Sequence, residues 1–189
     1  MPAKVNFVAK GGYLGALAFK PGGSALVVVR FLATTYLWDR VRLQGGAYGG
    51  TCRYDRLSGI FAYLSYRDPN LLGTIEVYDG AAEYLRTVPL GEEEIKRSII
   101  GTIGDIDTYL LPDAKGLVSL QYHLSGDDEA ARQRMRDEVL RTTPTDFRAF
   151  AAALAAVARE GRVVVLGSES AIALANEKRG GWLEVTKIL

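Results

Sequence analysis

The chain carries one cysteine and one histidine in 189 residues, Cys52 and His123. A lone cysteine excludes an intrachain disulfide, and with it the bridge-stapled designs of small secreted domains. One cysteine and one histidine also fall short of the three or four converging side chains that hold zinc. No metal or other cofactor is therefore expected in this chain. Charge of neither sign is in excess, since 23 basic residues face 22 acidic ones. A nucleic-acid surface needs a basic field that this balance does not supply, so nucleic acid is excluded as an expected partner. Long apolar runs are missing too. The stretch from Ala25 to Val29 is broken by Arg30, well short of the roughly 20 residues that span a bilayer, and no membrane partner is expected. The opening MPAKVNFVAKGG has neither a signal-peptide apolar stretch nor an Arg-rich transit character. With no targeting signal in view, a bacterial chain is expected in the cytoplasm; a eukaryotic parent allows an organelle. The glycine-rich turns lack the G-x-x-x-x-G-K-[ST] and G-x-G-x-x-G orders that cradle nucleotide phosphates.

What is present is ordinary globular material: 48% apolar and 24% charged residues. The length suits one domain over residues 1–189, with a core that needs no staple. Val5, Phe7 and Val8 predict a first strand ending at Lys10-Gly11-Gly12, followed by a loop around Lys20-Pro21-Gly22-Gly23. A long helix is expected from Ser24, as N-cap, to Arg42, with Val28, Phe31, Leu32, Thr35 and Trp38 on its buried face. Strands are expected at Ala47–Tyr54 and Gly59–Arg67, joined by a hairpin over Asp55-Arg56-Leu57-Ser58-Gly59. Asp68-Pro69-Asn70 then opens a helix from Leu71 to Arg86. Helices follow after Gly91 (with Gly101 and Gly104 as close-approach points), after Leu111, at an Asp128 cap, and from Thr145 to Arg159. A strand at Arg162–Leu166 and a helix over Ser168–Asn176 end the pattern. Antiparallel strands with segregated helices predict an α+β fold, one antiparallel sheet covered on one side by helices.

The segment Trp38-Asp39-Arg40-Val41-Arg42-Leu43-Gln44-Gly45-Gly46-Ala47-Tyr48-Gly49-Gly50 is the richest in chemistry. Arg42 falls in a last helical turn, where a cation suits the dipole. Tyr48 falls on the next strand between glycine pairs that leave its ring uncrowded and let another backbone approach. A guanidinium and a phenol six residues apart across such a turn can converge on one peptide carbonyl. The local pattern equally fits a plain helix stop followed by a half-buried strand aromatic.

Two longer stretches carry a resemblance. LWDRVRLQGGAYGGTCRYDRLSGIFAYLSYRDPNLL and IIGTIGDIDTYLLPDAKG resemble the C-terminal part of the presequence-protease, falcilysin-like branch of the pitrilysin zinc metallopeptidases, a likeness running from about Val5 to about Val157. The resemblance implies a pitrilysin-like domain that keeps the peptidase fold without the metal. In that family the N-terminal half carries an inverted H-x-x-E-H zinc motif, which is found nowhere in this sequence. The two halves close into a chamber around a peptide. The resemblance implies that Tyr48 hydrogen-bonds the scissile carbonyl or its oxyanion, that Arg42 holds the substrate main chain, and that Gly49 belongs to the same binding strip. The chain is thus expected to be no enzyme by itself. Its expected partners are a peptide and a catalytic half that holds the zinc, on the same chain or a separate subunit. A structural or interaction subunit that kept the fold and lost proteolysis is the alternative.

Other chemistry-bearing residues read as structural. Cys52 has no histidine near it in sequence and reads as a packed thiol. His123 has no ligand set around it. Asp105 and Asp107 lie on different helix faces, which disfavours a paired-carboxylate site. Glu92 to Glu94 suit a solvated helix start. A stand-alone hydrolase built on Cys52 or His123 is the least favoured reading. As a domain from a larger assembly, the chain is also expected to expose an apolar, tyrosine-rich patch and to form artificial dimers through it.

Overall fold

The structure, a computed structural model, describes residues 5–17 and 22–187. Strands β1 (Phe7–Tyr13), β2 (Gly49–Asp55), β3 (Ile60–Tyr66) and β4 (Arg162–Leu166) form one antiparallel sheet in the order β2-β3-β1-β4. Successive side chains on a strand point to opposite faces. The inward set, Val8 and Lys10 on β1, Cys52 on β2, and Phe61, Tyr63 and Ser65 on β3, is buried. The outward set includes Phe7, Tyr13, Ile60, Leu64, Tyr66, Val164 and Leu166, all exposed. Register brings them together: Leu64 lies opposite Ala9 and Thr51, Ala9 opposite Val164, and Phe7 opposite Leu166. One face of the sheet is therefore core, and the other is the expected apolar, tyrosine-bearing surface.

Helices α1 (Ser24–Thr34), α2 (Leu72–Thr87) and α6 (Pro144–Glu160) contribute most of the helical core. Their stripes are Val27, Val28, Phe31 and Leu32; Ile75, Tyr78 and Leu85; and Phe147, Phe150, Leu154 and Val157. The Tyr63 ring stacks on Tyr78 at 4.8 Å, and Phe61 meets Phe150 edge-on at 5.9 Å. Buried Lys10 ion-pairs with Asp79 and donates to the Ala158 carbonyl at 2.8 Å, tying β1 to α2 and α6. A buried cation is tolerated when its donors are used in this way. The α+β architecture, with helices on one side of an antiparallel sheet, is as the sequence predicts.

Helices α3 (Glu92–Ile106), α4 (Pro112–Ser125), α5 (Glu129–Leu140) and α7 (Glu169–Arg179) complete the described elements. Two capping signals hold. Asp128 accepts from the Ala131 N–H at 2.7 Å, and Thr143 exchanges a capping box with Asp146. Helix α4 buries no residue, and Leu117, Leu120 and Leu124 stand exposed along it.

Three expectations change. The long helix does not run unbroken to Arg42: α1 stops at Thr34, and Trp38–Gln44 forms a π-helical segment. The Thr34 and Thr35 hydroxyls donate back to the Arg30 and Phe31 carbonyls at 2.9 and 2.6 Å. Such back-bonding by β-branched residues bends helices. The N-cap is Gly23, whose N–H donates to the Glu138 carboxylate, and Ser24 is the first helical residue. Gly101 is a close-approach point, its missing Cβ leaving room for the Arg30 side chain, but Gly104 faces open space. Of the loop expected around Lys20 to Gly23, Lys20 and Pro21 lie outside the described residues.

Candidate functional site

The π-helical segment ends at Gly45, and Gly46 turns the chain with a left-handed φ of 75°. The Ala47 N–H returns to the Val41 carbonyl at 3.1 Å, and the Tyr48 N–H reaches the Arg67 carbonyl at 3.4 Å. Asn70 braces the turn by donating its side-chain amide to the Gly45 carbonyl at 2.6 Å. Tyr48 is therefore not on the strand, as the sequence reading had it. It occupies the bend one residue before β2, because the Gly46 turn delays pairing with β3 until Gly49.

The four glycines serve different ends. A Cβ at Gly45 would meet the Val41 carbonyl at 2.6 Å, and Gly46 supplies the positive φ. A Cβ at Gly50 would lie 2.7 Å from the Val41 Cβ and Cγ1, so this glycine lets β2 press against the π-helical segment. Gly49, at an ordinary strand position, keeps space for something else, its nearest neighbour being the Tyr66 Cβ at 3.9 Å.

Tyr48 is 66% exposed. Its ring stands edge-on to Tyr66 at 5.6 Å, and Tyr66 meets Phe7 edge-on at 5.3 Å. Among the described residues the Tyr48 hydroxyl has no hydrogen-bond partner, so its position is set by ring packing while its donor stays free. The Arg42 guanidinium lies 4.0 Å over the Trp38 ring, and among the described residues no carboxylate pairs with it. The neighbouring Asp39 accepts from Gln44 at 2.7 Å and sits 3.8 Å from Arg40. Trp38, expected on a buried helix face, is instead 44% exposed beneath Arg42. The fold places Arg42 and Tyr48 on the two sides of one glycine turn. Each rests on its own aromatic ring, and among the described residues no hydrogen bond or ring contact joins them.

Arg67 is a residue that sequence reasoning passed over. It is the only non-glycine described residue with positive φ, at 49°, a conformation costing an L-residue about 1 kcal/mol or more. Its guanidinium lies 5.5 Å over the Tyr66 ring. The next residue, Asp68, enforces the geometry. Fully buried, it exchanges backbone hydrogen bonds with Asn6 at 2.7 and 2.8 Å. Its carboxylate accepts from the Asn70 N–H at 2.9 Å and the Thr74 hydroxyl at 2.6 Å. The signal in the sequence was the Arg67-Asp68-Pro69-Asn70 run, which was read only as a strand end and helix start.

The remaining candidates stay structural. Cys52 is buried with its Sγ 3.3 Å from the Val29 carbonyl, and burial pushes its thiol pKa far above the usual range. His123 is exposed near the end of α4. Asp105 pairs with Arg30, and Asp107 with Arg136, on different helices. The Arg136 guanidinium holds the Asp107 carboxyl below the usual aspartate range. With Cys52 buried against a carbonyl and His123 elsewhere on the surface, these residues do not fit a zinc ion. No group of three or more His, Cys, Asp or Glu side chains is placed to hold a metal among the described residues. No helix among them is long and apolar enough to cross a membrane.

Residues 1–169 match the family model of the PreP C-terminal domain. Presequence protease 1, chloroplastic/mitochondrial, of Arabidopsis thaliana is 47% identical over 189 residues, all of this chain but 18% of that protein. Protein HypA of Clostridium perfringens is 34% identical over 168 residues, 89% of this chain and 17% of its own length. The chain thus spans less than a fifth of the curated relatives it matches. Among solved structures, the inactive peptidase domain of a candidate zinc protease from Bordetella parapertussis superposes with a TM-score of 0.61 at 18% identity, covering 86% of this chain and 90% of that one. The first half of the periplasmic protease PqqL from Escherichia coli gives 0.57 at 14% identity, covering all of this chain and 47% of that one. At such identities these structures support the fold alone. Matched from its first residue through 169 by the family model and 47% identical end to end with a presequence protease, the chain belongs to the presequence-protease C-terminal domain family.

Proposed function

We propose that this chain is the substrate-side, metal-free domain of a zinc metalloendopeptidase that degrades peptides. In this reading it supplies part of a chamber wall and presents Tyr48, Arg42 and Gly49 to the bound peptide. The observation that carries the reading is the state of Tyr48: exposed, fixed by an aromatic neighbour, and holding a phenol donor that the described residues do not use. A donor held in place and aimed at a developing oxyanion lowers a barrier without reorganising during the reaction. Arg42, its guanidinium 4.0 Å over Trp38 and its donors unused among the described residues, suits a main-chain carbonyl of the same peptide. Gly49 leaves room for that peptide's backbone beside Tyr48. The apolar outer face of the sheet gives an extended chain a surface to lie on.

The zinc and the general base belong to the catalytic half, carried on the same polypeptide or as a separate subunit. The relatives named for chloroplast and mitochondrion extend the proposal to an organelle for a eukaryotic parent. The alternative, a structural or interaction subunit, makes equal use of the apolar sheet face but has no use for a free phenol on a glycine turn. The purified chain is expected to take up no stoichiometric zinc and to cleave no peptide. Adding the catalytic half should restore cleavage. Zinc-dependent cleavage by the chain alone, or a stable complex with a partner lacking a zinc motif and no restored cleavage, contradicts the proposal.

A further inference from the structure

The aromatic cluster that fixes Tyr48 also carries a second cation whose use the proposed function leaves open. Arg67 sits in a left-handed conformation that an arginine does not choose for itself, and the chain around it forces the choice. The Asn6–Asp68 bridge holds its C-terminal neighbour, and the Tyr48 N–H holds its carbonyl. The result is a guanidinium laid over Tyr66, the same ring that Tyr48 packs against. Glycine or asparagine would take this φ with less strain, so the fold does not need an arginine here.

The cation also lacks a local anion. Among the described residues no carboxylate ion-pairs with Arg67. The one beside it in sequence, Asp68, is buried and has both oxygens engaged by Asn70 and Thr74. Geometry sets the reach. Arg67 lies 5.5 Å from the Tyr66 ring centre, and Tyr48 lies 5.6 Å from it. The guanidinium is therefore no further from the Tyr48 ring than those two distances laid end to end, about three residues of extended peptide.

We infer that Arg67 forms a carboxylate subsite beside Tyr48, selecting peptides with an Asp or Glu side chain within about three residues of the carbonyl that Tyr48 contacts. This rests on the proposed peptide-binding role of Tyr48. Arg67 acts as a specificity-determining residue, offering its planar fork of donors to a planar carboxylate while Tyr66 holds one face of the guanidinium.

The test is an NMR titration of the isotope-labelled chain with a small set of end-blocked nonapeptides. Each set member places one Glu at a different distance from a central Leu, with a Gln counterpart for every position. At low salt the best-placed Glu peptide should bind about five-fold tighter than its Gln partner. That binding should shift the Arg67 guanidinium resonance together with the Tyr48 amide, and high salt should erase the preference. Arg67→Gly and Arg67→Asn, both suited to the left-handed turn, should bind Glu and Gln peptides alike, at the affinity the parent shows for Gln. Arg67→Lys should keep part of the preference. A wild-type chain with no preference at any position, or a preference that survives in Arg67→Gly, overturns the subsite while leaving the role of Tyr48 standing. If no peptide moves the Tyr48 amide, the subsite and the peptide-binding reading fall together.

Discussion

Adding one methyl group to each of two adjacent glycines should have opposite consequences. A Cβ at Gly50 meets the Cβ and Cγ1 of Val41 at 2.7 Å and the Leu37 carbonyl at 3.4 Å. Val41 is buried and β-branched, with little rotamer freedom, and it sits in the π-helical segment that carries Arg42. It cannot swing aside, so the start of β2 and that segment must separate by most of an ångström. Overpacking of this kind costs about 1–3 kcal/mol. At about 2–4 °C per kcal/mol for a chain of this size, Gly50→Ala should melt about 2–12 °C lower. At Gly49 the nearest atom to a new Cβ is 3.9 Å away, and the backbone is ordinary strand. There the methyl reduces unfolded-state freedom and should leave stability unchanged or raise it by about 0.5 kcal/mol. Thermal unfolding followed by circular dichroism, with urea titration to check that the m-value holds, measures both. Equal losses from the two substitutions would refute the assignment, showing that the turn resists any added methyl rather than one aimed at Val41.

Two further outcomes follow from the interior and one from a surface hairpin. Tyr63→Phe removes a buried hydroxyl that finds no partner among the described residues while keeping the ring stacked on Tyr78; it should stabilise the fold by about 1 kcal/mol in urea titration, and a loss of similar size would mean the hydroxyl is satisfied. Cys52, its thiol pushed up by burial, should resist alkylation at neutral pH and react only as the protein unfolds in denaturant; prompt labelling of the native chain would contradict its burial. The Asp55 carboxyl in the β2–β3 hairpin is held below the usual range chiefly by the Ser58 hydroxyl and next by the Leu57 N–H. Its contribution is therefore present above the ordinary aspartate pKa of about 4 and is lost as pH falls through the lower folded value. Asp55→Asn should make the acid limb of the stability profile shallower, and an unchanged limb would place that pH dependence on other groups.

Much of the fold was legible because periodicity and caps agree with one another. The alternation in β3, the Thr143 capping box and the Asp128 cap all survive in the structure. The break between α1 and the π-helical segment was not legible. Its cause is two threonine hydroxyls returning to carbonyls three and four residues back, and a helical pattern gives no sign of which side-chain rotamers will do so. Trp38 had the spacing of a core residue, yet the change of helical pitch after Thr35 turns it outward beneath Arg42. At the site, Arg42 and Tyr48 were legible as a pair flanking a glycine turn, but not which glycine served which purpose. That depends on what each missing Cβ would meet, a tertiary property. Arg67 was missed because a strained φ leaves no mark on composition: Arg67-Asp68-Pro69 reads as an ordinary strand end until Asp68 is found bridged to Asn6, 62 residues earlier.

The most direct test of the account is the role of the Tyr48 phenol in the assembled protease. With the catalytic half and a peptide substrate present, Tyr48→Phe keeps the ring against Tyr66 and removes only the donor. Single-turnover cleavage should slow about 100-fold while peptide binding, measured separately, stays within about two-fold, because the donor acts on the transition state. Cleavage indifferent to Tyr48→Phe, or a loss confined to binding, would contradict the claim that Tyr48 serves the oxyanion.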